Sequence, residues 1–501
     1  MQAVTGQEHP KLVAPKADRE MLIWPEPRQM LRNVWESHGV LRGSEAIIHG
    51  VPLRKLRGWM RRWLGHSEDH MPLIATGHQT ELHHPGVWIK NAAIDSAARR
   101  IGAAALHFAV DTDAPKHLVY HWPGGGRPIT DDPSSSKVRW SGLVRAPEAA
   151  YVESVYGEAR AAAAGWGYEP AWAPFFDTLA KGGSDDLPGA ITKALHAVDR
   201  SLDMRHGALL ASPMWRTAGY GVFVYDICTR ADEYAAKYNA ALREFRKAYG
   251  IASPGRPMPD LEVQADACEV PFWLDDLRDG SRKRAGLVRD GDAWTLQCEA
   301  GEYRFDRSEK DGFLAAERLM GFLSQCGLRL APRALTLTSF LRLAVVDQFV
   351  HGIGGAMYDQ VTDQVLRSWY GIAPPAFAVA TATMFFPPAA DRERTCMECL
   401  SREGRALRHG LLGERKMDLV KQIALAPRRS AQRAVLYSQM HRDLSAAQET
   451  DPRMEDFQRR LNEARQRHAE DQIMFDRELP YTLQSRARLE EMVERVRGEF
   501  A

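Results

Sequence analysis

The spacing of apolar positions changes several times along the chain, and each change marks an element. Residues 73–76 form a short apolar run bounded by Pro72 and Gly77. It is too short for a helix and reads as a buried strand. A Gly77-His78-Gln79 turn is expected to leave it. Pro85 suits the first turn of a helix, where its missing N–H is no loss. From Val87 the pattern is helical, with Ile89, Ala93, Ala97 and Ile101 along one side, and Gly102 stands where a helix stops. A second apolar run, 104–110, ends in Asp111-Thr112-Asp113. Together these make one βαβ unit, and the carboxyl ends of such strands line the ligand crevice of open α/β sheets. The unit is read as the first half of an active site.

A second unit of the same kind lies far along the chain. Phe349-Val350 runs into His351-Gly352-Ile353-Gly354-Gly355. A helix over about 356–370 carries Met357, Val361, Val365 and Trp369, Gly371 caps it, and 377–383 is an apolar strand. Each glycine-containing turn leaves a strand and opens a helix. Helix amino ends present free N–H groups and a partial positive charge, so both turns can hold an anionic ligand group.

The stretches around these units set the domain plan. Residues 1–20 are polar and read as loose. Residues 53–64 form a basic amphipathic helix, read as docked on the core with its arginines in water rather than as a membrane anchor. Glycine and proline density over 121–136 predicts a lid or surface loop. Residues 147–204 are mostly helical. Residues 209–212 and 221–226 read as strands, the latter alternatively as a helix start. A helix over 231–249 ends at Gly250, and 262–304 is a small β insertion with an Asp290-Gly291 hairpin signal. Beyond Pro388, Leu436, Met440, Leu444 and Ala447, then Phe457, Leu461 and Ala464, flank a Thr450-Asp451-Pro452 break. That spacing predicts an antiparallel coiled-coil hairpin, followed after Pro480 by a final helix over 483–496. The plan is a helical segment over 1–70, an α/β core over 71–388 with an insertion at about 121–330, and a helical, coiled-coil domain over 389–501.

Composition narrows the partners. The 66 basic and 65 acidic residues nearly cancel, which recommends neither nucleic acid nor membrane as partner. Six cysteines in 501 residues are too sparse for a disulfide framework. With no apolar leader and no run of eighteen apolar residues, a cytoplasmic protein is expected.

The candidate chemistry sits at the two turns. His78, His83, His84, Asp111, Asp113, His117 and His121 offer nitrogen and oxygen donors, but none has a recognised metal spacing, and no metal is predicted. Cys396-Met-Glu-Cys399 lacks a second pair and a thioredoxin-like setting, and is read as part of a helix. The Gly352–Met357 turn fails the dinucleotide fingerprint, because Met357 stands at the third small position and no acid ends the next strand.

In order and spacing these blocks resemble the bacillithiol biosynthesis cysteine-adding enzymes. The resemblance rests on Thr76-Gly77-His78-Gln79, Leu82, Pro85-Gly86 and Lys90; on Val110-Asp111-Thr112-Asp113; on His351-Gly352-Ile353-Gly354-Gly355 with Tyr358; and on Tyr370-Gly371-Ile372. It covers residues 72–385 in patches. His78 replaces a family Gln, Thr112 a family His, and Gly355 a family Glu. What it implies is a Rossmann-like core related to nucleotidyltransferases and class I synthetases, with a carboxy-terminal coiled coil that is a candidate for homodimerisation. It further implies a ligase that joins cysteine to a glucosaminyl-malate-like amino-sugar acceptor through an amide, with ATP or ADP as the cofactor to test. Such a ligation needs an activated carboxyl group, a deprotonated amine and oxyanion stabilisation. On this reading His78, Asp111 and Asp113 are catalytic, with His78 moving protons near neutral pH. Gly77, Gln79, His84, Lys90, His351, Gly352, Gly354 and Tyr358 bind substrate. The rival expectations are a synthetase-like enzyme that adenylates a small acid and a non-catalytic binding protein of the same fold.

Overall fold

The computed structural model describes residues 12–66, 70–256, 258–299, 301–387 and 393–501. The stretch before residue 12 and the expected boundary at 388/389 lie outside them. A six-stranded sheet organises the larger unit. Its strands are β1 (Glu20–Trp24), β2 (Leu73–Gln79), β3 (Ala104–Val110), β4 (Gly207–Leu210), β5 (Gln348–His351) and β6 (Phe377–Thr383), in the order β1-β6-β5-β2-β3-β4. Strands β2 to β6 are parallel, and β1 closes one edge antiparallel to β6. Chain order runs outward from β2 through β3 to β4, then restarts at β5 on the other side of β2. The order of strand addition therefore reverses between β2 and β5, the position at which open α/β sheets form a ligand crevice.

Local sequence accounts for most of this framework. The strands are continuous apolar runs because both faces of a parallel sheet are covered. Helix Pro85–Ile101 lies against β2, β3, β5 and β6 and ends at Gly102 in the left-handed conformation (φ 67°), where a Cβ would be strained. Helix Ile353–Tyr370 ends the same way at Gly371 (φ 66°). A second sheet contains strands Gly301–Phe305, Ala293–Cys298, Arg282–Asp290, Ala267–Asp276 and Leu328–Pro332 in that order. It is the predicted β insertion, enlarged by Leu328–Pro332.

Several expectations are corrected. Gly77-His78-Gln79 is not a turn: these residues are the last three of β2, paired with Phe108, Ala109 and Val110 of β3. The turn falls at 80–84. The glycines at 124–126 belong to a tight hairpin between Val119–Trp122 and Gly125–Pro128. Residues 221–226 lie inside helix Ala218–Cys228, which is buried all round and so shows no helical period to a sequence reader. In helix Leu53–Trp63, Arg57 and Arg61 are not in water. Both are buried on the Asp347 carboxylate, at 2.6 and 2.7 Å.

The chain divides into a unit that ends at Met384 and resumes at Arg477, and a second unit, Phe385–Asp476. The carboxy-terminal tail thus leaves the helical domain assigned to it. Tyr481, Leu483, Leu489, Met492, Val493 and Val496 are buried, and Arg486–Glu499 packs on helix Pro85–Ile101. The second unit holds helices Met397–Gly410, Gly413–Leu425, Ala431–Thr450 and Pro452–Met474. The break at Asp451 is where it was expected, with Asp451 capping the last helix. The two long helices each pack mainly on a shorter one, Met397–Gly410 on Pro452–Met474 and Gly413–Leu425 on Ala431–Thr450.

Candidate active site

The carboxyl ends of β2, β3 and β5 bring most of the singled-out residues to one edge of the sheet. Thr76 pairs with Val350 on one side and His107 on the other, so Gly77 and His351 follow as neighbours at the strand ends. Gly77 is needed there. A Cβ would lie 2.9 Å from the Phe108 carbonyl oxygen and 3.3 Å from the Phe349 ring.

Past Gly77 the side chains of β2 and its turn bond to one another. The His78 Nδ1 atom lies 3.2 Å from Glu81 Oε1. Burial, followed by the Lys90 charge, lowers the His78 pKa well below the usual imidazole value, while burial pushes the Glu81 carboxyl up to about 7. The downward direction favours the uncharged imidazole of His78. Gln79 donates to Asp113 Oδ2 at 2.7 Å. His84 is the N-cap of helix Pro85–Ile101, its Nδ1 accepting from the Gly86 N–H at 3.1 Å, so that nitrogen is engaged in capping. Lys90, one turn further in, turns back to donate to the Gly77 carbonyl at 2.9 Å and is almost fully buried. Burial drops its pKa to about 7. The ammonium braces the end of β2 from inside instead of reaching out to a substrate.

The two acids after β3 hold loops. Asp111 Oδ1 accepts the Ser212 N–H at 2.9 Å, and its carbonyl accepts from Ser141 and Gly142. Burial raises the Asp111 pKa. The Asp113 carbonyl accepts the Ser141 N–H at 2.7 Å. The backbone carbonyls of the two residues thereby hold the segment around Ser141 at the end of β3, and Thr80 adds a hydroxyl contact to Ser141 at 2.8 Å.

Across the switch, His351 forms a buried dyad. Its Nε2 lies 2.8 Å from Asp359 Oδ2, and Arg342 donates to the same oxygen at 2.7 Å. Arg342 keeps Asp359 well below the usual carboxylate range despite burial. An ionised Asp359 accepts the Nε2–H and leaves Nδ1 as the basic nitrogen. Nδ1 abuts Gly355, where a Cβ would stand 2.9 Å away. Helix Ile353–Tyr370 starts here without a side-chain cap at Gly352, and Gly354 and Gly355 are exposed. Its first-turn N–H groups are open to an anionic group, and a Cβ at Gly352 or Gly354 would meet nothing within 4 Å. Tyr358 is exposed on the first turns of this helix.

Sequence reasoning missed the buried polar chain beneath the crevice. His83 stands between His78 and His107, ring centroids 5.3 Å apart on each side. His107 bonds Asn91 at 2.8 Å, and Asn91 donates to Asp199 at 2.9 Å. Asp199 is a hub, accepting also from Trp88 and Tyr481 at 2.9 and 3.0 Å, with His206 Nε2 at 3.2 Å. A cavity of about 20 Å³ lies among Glu81, His83, Asn91, His107, Asp199 and His206, room for about one water molecule. Among the described residues, the ring nitrogens His83 Nδ1 and His206 Nδ1 and the Glu81 Oε2 atom find no hydrogen-bond partner. Burial drives the His83 pKa down to about 3 and that of His107 well below its usual value. The signal was a histidine inside an otherwise apolar strand, His107 in β3, which is costly unless partnered. Among the described residues no group of three or more His, Cys, Asp or Glu side chains is placed to hold a metal ion. The sequence matches no protein-family model and no curated protein.

Proposed function

We propose that the chain is a carbon–nitrogen ligase of the cysteine-adding type that forms an amide between the carboxyl group of cysteine and an amino-sugar acceptor such as glucosaminyl-malate. The observation that carries this reading is the His351–Asp359 dyad beside an uncapped helix start, facing β2 across the point where the sheet reverses. The order β4-β3-β2-β5-β6 is the 3-2-1-4-5 order of Rossmann-like nucleotide-binding folds, which supports the implied core. In the proposed reaction the acceptor amine loses its proton to His351 Nδ1 and attacks the activated carboxyl carbon. The first-turn N–H groups at Ile353 and Gly354 would stabilise the oxyanion, and the phosphate or adenylate that activated the carboxyl group would leave, taking the proton from His351, as the carbonyl reforms. ATP supplies carboxyl activation when bound, and the same open N–H groups suit a phosphate. The Asp111 carboxylate is engaged by the Ser212 N–H and that of Asp113 by Gln79, so on this reading both orient the strand ends beside the reacting atoms.

Incubation of the chain with cysteine, glucosaminyl-malate and ATP, followed by mass spectrometry, tests the reading. The amide is expected, and His351→Asn should lower turnover by about 10²–10⁴-fold, the range for loss of a general base. Absence of amide with and without ATP overturns it. Adenylation of a small acid is the second reading, favoured by the strand order alone. Pyrophosphate exchange dependent on one acid, without amide formation, would select it.

A further inference from the structure

The carboxy-terminal helical unit carries a feature that the crevice chemistry does not use. Cys396 and Cys399 are joined in a disulfide at the start of helix Met397–Gly410. Both residues are exposed. The other four cysteines differ: Cys228, Cys268 and Cys326 are buried and Cys298 is half-buried. Burial pushes the Cys268 thiol up to about 12 and that of Cys228 well above its usual value, so these sulfurs are inert at neutral pH. Of the six cysteines, Cys396 and Cys399 are the two that are exposed, so an outside reagent reaches them most directly.

The structure assigns Cys396 and Cys399 as a reversible dithiol–disulfide site that exchanges with low-molecular-weight disulfides and thiols. Three observations support it besides exposure. Cys396 is the N-cap residue, and its Sγ accepts the Cys399 N–H at 3.1 Å, a donor that would also stabilise a thiolate. Two residues separate the cysteines, so the bond closes a very short loop, and such loops contribute the least as staples of the unfolded chain. The helix start has other anchors: the Thr395 N–H bonds Asp471 Oδ2 at 2.7 Å, and Gly404 sits under Phe457, whose ring would be 2.6 Å from a Cβ there. Opening the disulfide leaves these contacts in place. The assignment does not rest on the ligase reading.

The exchange balances without a metal or flavin. In the oxidising direction the Cys396 thiol gives up its proton, and the thiolate attacks one sulfur of a disulfide RSSR. A Cys396–SR bond forms and RS⁻ leaves, taking up that proton. The Cys399 thiolate then attacks Cys396 Sγ, forming the Cys396–Cys399 bond and expelling the second RS⁻, which takes the proton Cys399 released. The protein loses two hydrogens and RSSR becomes two RSH.

The full chain, reduced and freed of reductant under argon, is mixed with bis(2-hydroxyethyl) disulfide. Two molecules of 2-mercaptoethanol are expected per chain, released at least about tenfold faster than by the Cys396→Ser/Cys399→Ser double variant. Cys399→Ser should accumulate a mixed disulfide at Cys396 by peptide mapping, because its resolving thiol is gone. Helical circular dichroism and Tm should be the same for the reduced and oxidised chains. Thiol release no faster than from the double variant overturns the assignment. So does loss of helical signal on reduction, which would make the bond a structural staple.

Discussion

The histidines beneath the crevice act as uncharged groups, and that gives the protein a definite response to acid. Burial holds the folded pKa of His83 at about 3, that of His84 at about 4, and those of His78 and His107 well below the usual value. Between those values and about 6.5 the unfolded chain binds protons that the folded chain does not. Stability is therefore fully present above about pH 6.5 and lost as pH falls towards 4, by up to about 1.4 kcal/mol per pH unit for each imidazole. Urea unfolding at pH 7.5 and pH 5 should show a large fall in midpoint, and His107→Gln should flatten the dependence. An equal slope in the variant would remove His107 from the account. Lys90 follows the same sign at higher pH. Its folded pKa near 7 lies below the ordinary lysine value, so its contribution improves as pH rises from about 7 towards 10. Replacing it with Met keeps the packing and removes an amine that is largely uncharged at pH 9, while leaving the Gly77 carbonyl without its donor. Lys90→Met is expected to change stability at pH 9 by less than about 2 kcal/mol, yet to loosen the end of β2, seen as faster amide exchange at His78 and Gln79.

At the scale of elements, two buried carboxylates tie distant segments together. Asp199 accepts from Trp88 and Asn91 on helix Pro85–Ile101 and from Tyr481 of the returning tail. Asp347 joins Arg57 and Arg61 of helix Leu53–Trp63 to the Leu73 N–H at the start of β2, and His38 lies 3.2 Å from it. Removing one partner of such a pair leaves uncompensated buried charge, so Asp347→Asn should cost about 3–5 kcal/mol in chemical denaturation. A loss below about 1 kcal/mol would mean that the arginines find solvent after all. These elements also show what was readable. The runs at 104–110 and 377–383 matched their strands because a parallel strand covered on both faces is a bare apolar run. The terminator glycines Gly102 and Gly371 were readable for a local steric reason. Residues 77–79 and 221–226 were misread because their state depends on β3 and on all-round burial, neither of which is local. The buried pairing of Arg57 and Arg61 was illegible for the same reason: its acid lies nearly three hundred residues away.

At the scale of the molecule, the chain leaves its first unit after Met384 and returns at Arg477, so the last 25 residues complete the core of that unit. Tyr481 stacks on Trp88 with ring centroids 5.2 Å apart, and its N–H bonds the His83 carbonyl at 2.9 Å. The tail thus covers the start of helix Pro85–Ile101 and the turn that follows β2. A chain truncated after residue 476 should fail to reach the native fold, because it strips Leu483, Leu489, Met492, Val493 and Val496 from the core, each side chain contributing about 1.5–3 kcal/mol. A soluble truncated chain with native circular dichroism and melting temperature would show the tail to be dispensable.

The sequence by itself determined the two strand–helix units, their terminators, the hairpin signal at Gly291, the break at Asp451 and the cluster of polar residues at the strand ends. All of these follow from period and backbone sterics within a few residues. The tertiary structure alone decided which polar groups face one another. It made His351 half of a dyad with Asp359, turned Lys90 inward, set Asp111 and Asp113 to hold loops, and threaded His83, His107, Asn91 and Asp199 beneath the crevice. Hydrogen-bond partners and pKa values are set by burial and by neighbours distant in the chain, and a one-dimensional pattern carries neither.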